Sequence, residues 1–223
     1  GSEMCIRDRI LLFLKIHLIM IKKKLIIFDL DGVLIDSLSN MRMSLKKTSI
    51  ELKIKLNFEL YRKYLGLPFE KIMKKMGIKN DVDIIKNKYS NFSKRKLSKI
   101  KIKKTHLNEL IYLKKKYIFA VFTSKDKLRT NIILKNYNFF QCIITSDDVT
   151  KGKPHPEGLI KILKKTKRKK DQTIFIGDSI FDYKTAKNLG IKYLHAKWGY
   201  ENDLKNKFKI NEISNFLEIE KYL

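Results

Sequence analysis

Two stretches of the chain place acids where burial is expected. In "LIIFDLDG", Leu25 to Gly32, an apolar run ends on Asp29 and Asp31; in "TIFIGDSIFD" a second run ends on Asp178, with Asp182 four residues later. Side chains two apart on a strand share a face, so Asp29 and Asp31 can address one point as the strand gives way to a loop. A turn of the "DG" kind would explain Asp31 and Gly32 but leaves Asp29 inside an apolar run. Asp182, on the first turn of a following helix, can face the same site as Asp178, although the helix dipole alone would favour an acid there. Adjacent buried carboxylates repel and require a cation. Donors that are all hard oxygens suit Mg²⁺ better than zinc. Two further strand ends complement these acids. "VFTSK" offers the hydroxyls of Thr123 and Ser124, and the N-H groups that follow, to phosphate oxygens at a helix start, or else a simple cap. "KGKPHPE" supplies Lys153 just before a helix, placed to neutralise phosphate and nucleophile.

The elements that must hold these residues follow from periodicity. Strands are expected at 25 to 30, 117 to 123, 142 to 146, 173 to 178 and 192 to 196, with helices at 106 to 115, 126 to 136, 156 to 165, 180 to 189 and 214 to 222. Short β-rich runs alternating with helices predict an α/β fold with a parallel sheet, whose carboxyl edge is the ligand edge. Pro156 suits a helix start and Gly190 a helix stop. Residues 38 to 104 break the alternation, because they carry only helical periodicity and are far longer than a crossover requires. They read as a helical domain inserted into a core of residues 20–37 and 105–223. Asp36 and Ser37 are expected to cap the first inserted helix, and Asp147 and Asp148 to be loop acids.

Composition narrows the class of protein. The hydrophobic fraction of 43% excludes a disordered chain, and 223 residues suit one domain with or without an insertion. The net charge of +27 attracts anions without choosing among them. It is carried by lysines spread along the chain, whereas nucleic-acid surfaces cluster charge and favour arginine; no specific nucleic-acid partner is expected. The run "KKTKRKK" is read as a solvated loop. Two cysteines, Cys5 and Cys142, without disulfide or zinc spacing, fit a cytoplasmic protein, with Cys142 a buried thiol. The segment "ILLFLKIHLIMI" is interrupted by Lys15 and His17 and is too short to span a bilayer, so no membrane association is expected. Residues 1–19 are read as a non-native or disordered extension, with Met20 as the natural start.

The motifs "DLDGVLIDS", "VFTSK", "KGKPHPE" and "GDSIFD", in this order, resemble the four motifs of the haloacid dehalogenase superfamily. The long helical insertion after the first motif is similar to the C1 cap of its subfamily I. "YLGLPFEKIMKKMG" with the "WGY" around Trp198 resembles the phosphoglycolate phosphatase-like branch. The resemblance implies a Rossmann-like core and a Mg²⁺-dependent phosphatase acting on a small phosphorylated substrate through an aspartyl-phosphate. Asp29 would then be the nucleophile and Asp31 the general acid and base. Thr123, Ser124 and Lys153 would bind the phosphoryl group. Asp29, the backbone carbonyl of Asp31, and Asp178 would hold Mg²⁺, with Asp182 ligating directly or through water. A phosphomutase of the β-phosphoglucomutase type shares this machinery, whereas the dehalogenases lack an acid two residues after the nucleophile.

Overall fold

A computed structural model describes residues 24–201 and 203–223. The reading of residues 1–19 as an extension falls outside them.

Six parallel strands form one sheet in the order β3-β2-β1-β4-β5-β6: β1 (Leu25–Phe28), β2 (Ile118–Phe122), β3 (Phe140–Ile144), β4 (Thr173–Gly177), β5 (Lys192–Ala196) and β6 (Asn211–Ile213). β1 lies between β2 and β4, so all four of its residues are buried, as continuous apolar runs in parallel sheets require. The two-residue period divides its side chains. Ile26 and Phe28 join Phe119, Val121, Ile174 and Ile176 on one face, while Leu25 and Ile27 join Ala120, Phe122 and Phe175 on the other.

Helices fill the crossovers: α5 (Lys104–Leu113), α6 (Lys127–Leu134), α7 (Glu157–Thr166) and α8 (Ile180–Leu189), with a short α9 (Leu204–Lys207) before β6. α5 to α8 lie within two residues of the expected spans at each end, and α9 was not expected. Gly190 ends α8 in the left-handed conformation, at φ +77°, as its type suggests. Two expectations are corrected, and one strand had not been expected. The segment 216–222 is a 3₁₀ helix rather than an α-helix. The three-residue β6 went unread because it is too short to show periodicity. "KKTKRKK" is only partly a loop, since its first residues close the last turn of α7.

Between β1 and α5 come four helices: α1 (Leu38–Glu51), α2 (Phe58–Arg62), α3 (Phe69–Lys75) and α4 (Val82–Leu97). They gather around a separate apolar cluster that includes Met41, Leu45, Tyr61, Phe69, Ile72, Met73, Ile85 and Tyr89. α4 also packs on α6 of the sheet region. Among the described residues no helix is long and apolar enough to cross a membrane, and Cys142 is a buried free thiol.

Candidate active site

The carboxyl ends of β1, β2 and β4 converge. Asp29 directly follows β1, and its N-H donates to Ile176 O at 2.8 Å, extending the ladder one residue beyond the strand. Thr123 is held in the same way, its N-H on Ile144 O at 3.0 Å. Asp178 follows β4. Backbone pairing thus fixes the bases of the Asp29 and Thr123 side chains.

Four of the expected residues meet in one buried group. Carboxylate oxygens of Asp29, Asp178 and Asp182 lie within 4.8 Å of one another. Lys153, wholly buried, donates through Nζ to Asp29 Oδ1 at 2.6 Å and to Asp182 Oδ1 at 2.7 Å. Its ammonium also stands 5.1 and 5.3 Å from the ring centres of Phe122 and Phe175, whose faces favour a cation. Asp182 has a second duty, for Oδ2 accepts from the N-H and the hydroxyl of Ser179 and caps α8. Asp178 Oδ2 accepts from Tyr200 N at 2.7 Å.

The charges in this group do not balance. Burial pushes the Asp29 carboxyl up to about 7; Lys153 opposes this, and Asp182 and Asp31 add to it. Burial, together with Asp182 and Asp29, likewise drives Asp178 well above the usual carboxylate range. Burial would strip Lys153 of its proton, but Asp182 and Asp29 outweigh that and hold it charged above its ordinary value. Three acids therefore share one cation. An oxygen-only donor set with excess negative charge fits a hard divalent ion such as Mg²⁺.

Asp31 stands outside this group. Its Oδ2 pairs with Lys125 Nζ at 3.0 Å, and its Oδ1 accepts from the Ser37 hydroxyl. The expectation for Ser37 is corrected here: its side chain leaves α1 uncapped and serves Asp31, while Asp36 Oδ1 accepts from Leu38 N. Ser124 lines the same cavity as Asp29 and Asp31, and its hydroxyl donates to Gly66 O of the helical insertion at 2.6 Å. Asp148 closes a 3₁₀ turn with Thr145, in keeping with a loop acid.

Asp29, Asp31, Thr123, Ser124, Lys125 and Asp178 line this cavity of about 340 Å³ between the sheet edge and the insertion. Among the residues of this cavity that the sequence reading did not assign to the site are Tyr61, Tyr89, Lys125, Arg129 and Tyr200. Lys125 follows Thr123 by two residues in "VFTSK" and was legible as its neighbour on one face. Arg129 carried a weaker signal, as one of few arginines in a chain rich in lysine. Tyr200 stood in the "WGY" of the resemblance without an assigned role, and Tyr61 and Tyr89 carried no signal.

Sheet order, crossover helices and an acid-lined carboxyl edge define a doubly wound α/β hydrolase. The profile of the haloacid dehalogenase-like hydrolases matches residues 26–196, and the chain belongs to that family. It is 27% identical to the putative pyrophosphatase PpaX of Caldanaerobacter subterraneus over 179 residues, which cover 78% of this chain and 81% of that protein. It is 28% identical to the phosphoglycolate phosphatase of Aquifex aeolicus over 191 residues, covering 79% and 86%. A putative phosphoglycolate phosphatase from Lactobacillus plantarum superposes with a TM-score of 0.81 at 20% identity, over 90% of this chain and 99% of that one. A haloacid dehalogenase-like hydrolase from Streptococcus pneumoniae superposes at 0.77 with 26% identity, covering 90% and 98%. The chain is accordingly an enzyme of the phosphatase kind.

Proposed function

We propose that the enzyme is a Mg²⁺-dependent phosphatase that hydrolyses a small phosphate monoester through an aspartyl-phosphate on Asp29. The observation that carries this is the separation of two acids only two residues apart. Asp29 lies among Asp178, Asp182 and Lys153, whereas Asp31 lies beside Lys125 and Ser37 at the cavity.

Asp29 attacks phosphorus, and the ester bond breaks as Asp31 gives its proton to the leaving oxygen. Asp31, now ionised, takes a proton from water, which attacks the aspartyl-phosphate, freeing phosphate and restoring Asp29. Lys153 holds Asp29 and Asp182 in place and neutralises charge that develops on the transferred group. The hydroxyl of Thr123 and the backbone N-H of Ser124 bind its oxygens. Asp29, the carbonyl of Asp31, and Asp178 would hold Mg²⁺, with Asp182 direct or through water; the ion would neutralise the phosphoryl oxygens and the surplus of buried acids.

Residues 38–104 act as a cap on a core of residues 20–37 and 105–223. Their separate apolar cluster and the hydrogen bond from Ser124 to Gly66 support this division. A closed cap excludes bulk water during the first step and selects the leaving group. Phosphoglycolate and pyrophosphate, which name two of the relatives, are the first esters and anhydrides to test. Phosphate release from a panel of such compounds, with Mg²⁺ and with chelator, is the measurement. Turnover that needs the metal is expected, and no turnover of any member would overturn the reading.

A further inference from the structure

The cavity contains a guanidinium that the mechanism does not use. If Asp31 protonates the leaving oxygen, the leaving group lies on Asp31's side of phosphorus, toward Lys125. Four residues beyond Lys125, in the first turn of α6, is Arg129, buried yet lining the cavity. Its Nε donates to Asp126 Oδ2 at 2.6 Å, and among the described residues no second carboxylate pairs with it. The guanidinium carbon lies 5.3 Å from the centre of the Tyr89 ring, and the Tyr89 hydroxyl is 3.4 Å from that of Tyr61.

Burial keeps both phenols protonated; the Tyr61 hydroxyl donates to that of Tyr89, which leaves the Tyr89 hydroxyl free to donate. Acids at the rim do not compete for Arg129. Glu59 is paired with Arg42 at 2.8 Å, and Glu201 accepts from Ile180 N at 2.8 Å. A buried guanidinium keeps its charge, and its planar fork matches a carboxylate or a phosphoryl group. With an alkyl leaving group the guanidinium would keep Asp126 and Tyr89 as partners, but its N-H groups that face the cavity would meet no acceptor on the substrate.

We infer that the leaving group of the substrate carries a second anionic group, a carboxylate or a phosphoryl group, seated on Arg129 and on the Tyr89 hydroxyl, which Tyr61 orients. This rests on the phosphatase reading and makes Arg129 the residue that sets specificity. The competing role is mechanical: Arg129 would merely join Asp126 of the core to Tyr89 of the insertion.

The test uses the full chain with Mg²⁺ and compares kcat/KM for 2-phosphoglycolate, pyrophosphate, glycerol 3-phosphate and p-nitrophenyl phosphate. The wild type should prefer one of the first two over the last two by on the order of 100-fold or more. Whichever of the two is preferred distinguishes carboxylate from phosphoryl. Arg129→Met should reduce that preference by about 100-fold, mainly through KM, and Arg129→Lys should restore part of it. Tyr61→Phe should reduce it by about 10-fold. A wild type with no preference overturns the inference without any variant, and so does a uniform loss on all four compounds in Arg129→Met. If Arg129→Met does not fold, the wild-type ratio and Tyr61→Phe decide. Absence of turnover on every compound removes the phosphatase reading and this inference together, an outcome distinct from turnover without preference.

Discussion

At the sheet edge, ionisable groups are buried and tied to one another, with Lys153 between Asp29 and Asp182 and Lys125 on Asp31. Across the cavity, the insertion presents Tyr61, Tyr89, Met41 and Phe69, and its ion pairs, such as Arg42 with Glu59 and Lys86 with Glu70, lie on the surface. Exposed pairs contribute little, so the insertion is held by apolar contacts that tolerate change. Removing one partner of a buried pair leaves a charge without compensation. The comparison teaches that chemistry and selectivity are mounted on supports of different stiffness. Substitutions at the edge should affect every substrate alike, and those in the insertion should change the order of substrates.

The most severe way to break the edge is Asp29→Asn. It should lower phosphate release from all esters by on the order of 10⁴-fold or more while leaving the thermal unfolding profile cooperative; undiminished turnover would remove Asp29 as nucleophile. Lys153→Met should cost about 3–5 kcal/mol of stability in denaturant titration, because Asp29 and Asp182 lose their shared cation. A loss below about 1 kcal/mol would mean that the pair is not structural. Asp178→Ala should raise the Mg²⁺ concentration for half-maximal activity by about 10–100-fold, and an unchanged metal titration would take Asp178 out of the metal site.

The raised carboxyls give the edge a signature that does not depend on turnover. Asp29 is pushed from 3.8 to about 7, so between those values the folded state binds more protons than the unfolded one. Stability without metal should therefore fall as pH rises from about 4 to about 7. A divalent ion takes the place of those protons, so Mg²⁺ should raise the melting temperature more at about pH 7.5 than at about pH 5. Equal shifts at both pH values would count against the acid cluster as the binding site. The smallest effect is expected at the seam between the two regions. A Cβ on Gly66, where φ is +97°, would lie 2.6 Å from Ser179 Oγ. Gly66→Ala should cost about 1–3 kcal/mol and alter KM values unequally among esters, sharpening the contrast with the edge; equal changes would blur it.

What was legible in the sequence follows the same division. Strands buried on both faces leave long apolar runs, and an acid at the end of such a run is conspicuous, so Asp29, Asp178 and the order of elements could be read. Lys153 was legible only through its motif, because a lysine in this chain says little by itself. Asp31 could be found, but its attachment to Lys125 and Ser37 could not, since Ser37 looks like a helix cap until the turn at Gly32 brings it back toward Asp31. The selective wall was hidden for a different reason. Tyr61, Tyr89 and Arg129 come from three helices, and nothing in local spacing reports that those helices meet.

Asp178 also depends on two residues that have no side chain at all. A Cβ on Gly32, where φ is +86°, would sit 2.0 Å from Asp178 Oδ2, and one on Gly199 would sit 2.1 Å from Asp178 Cβ. Both positions admit hydrogen alone, because the acid occupies the space where any other residue would begin. In a genetic screen for loss of activity, substitutions at these glycines would be recovered alongside those of the acids. A map of intolerant positions would then outline Asp178 by its surroundings, even in a library that never changed the acid itself.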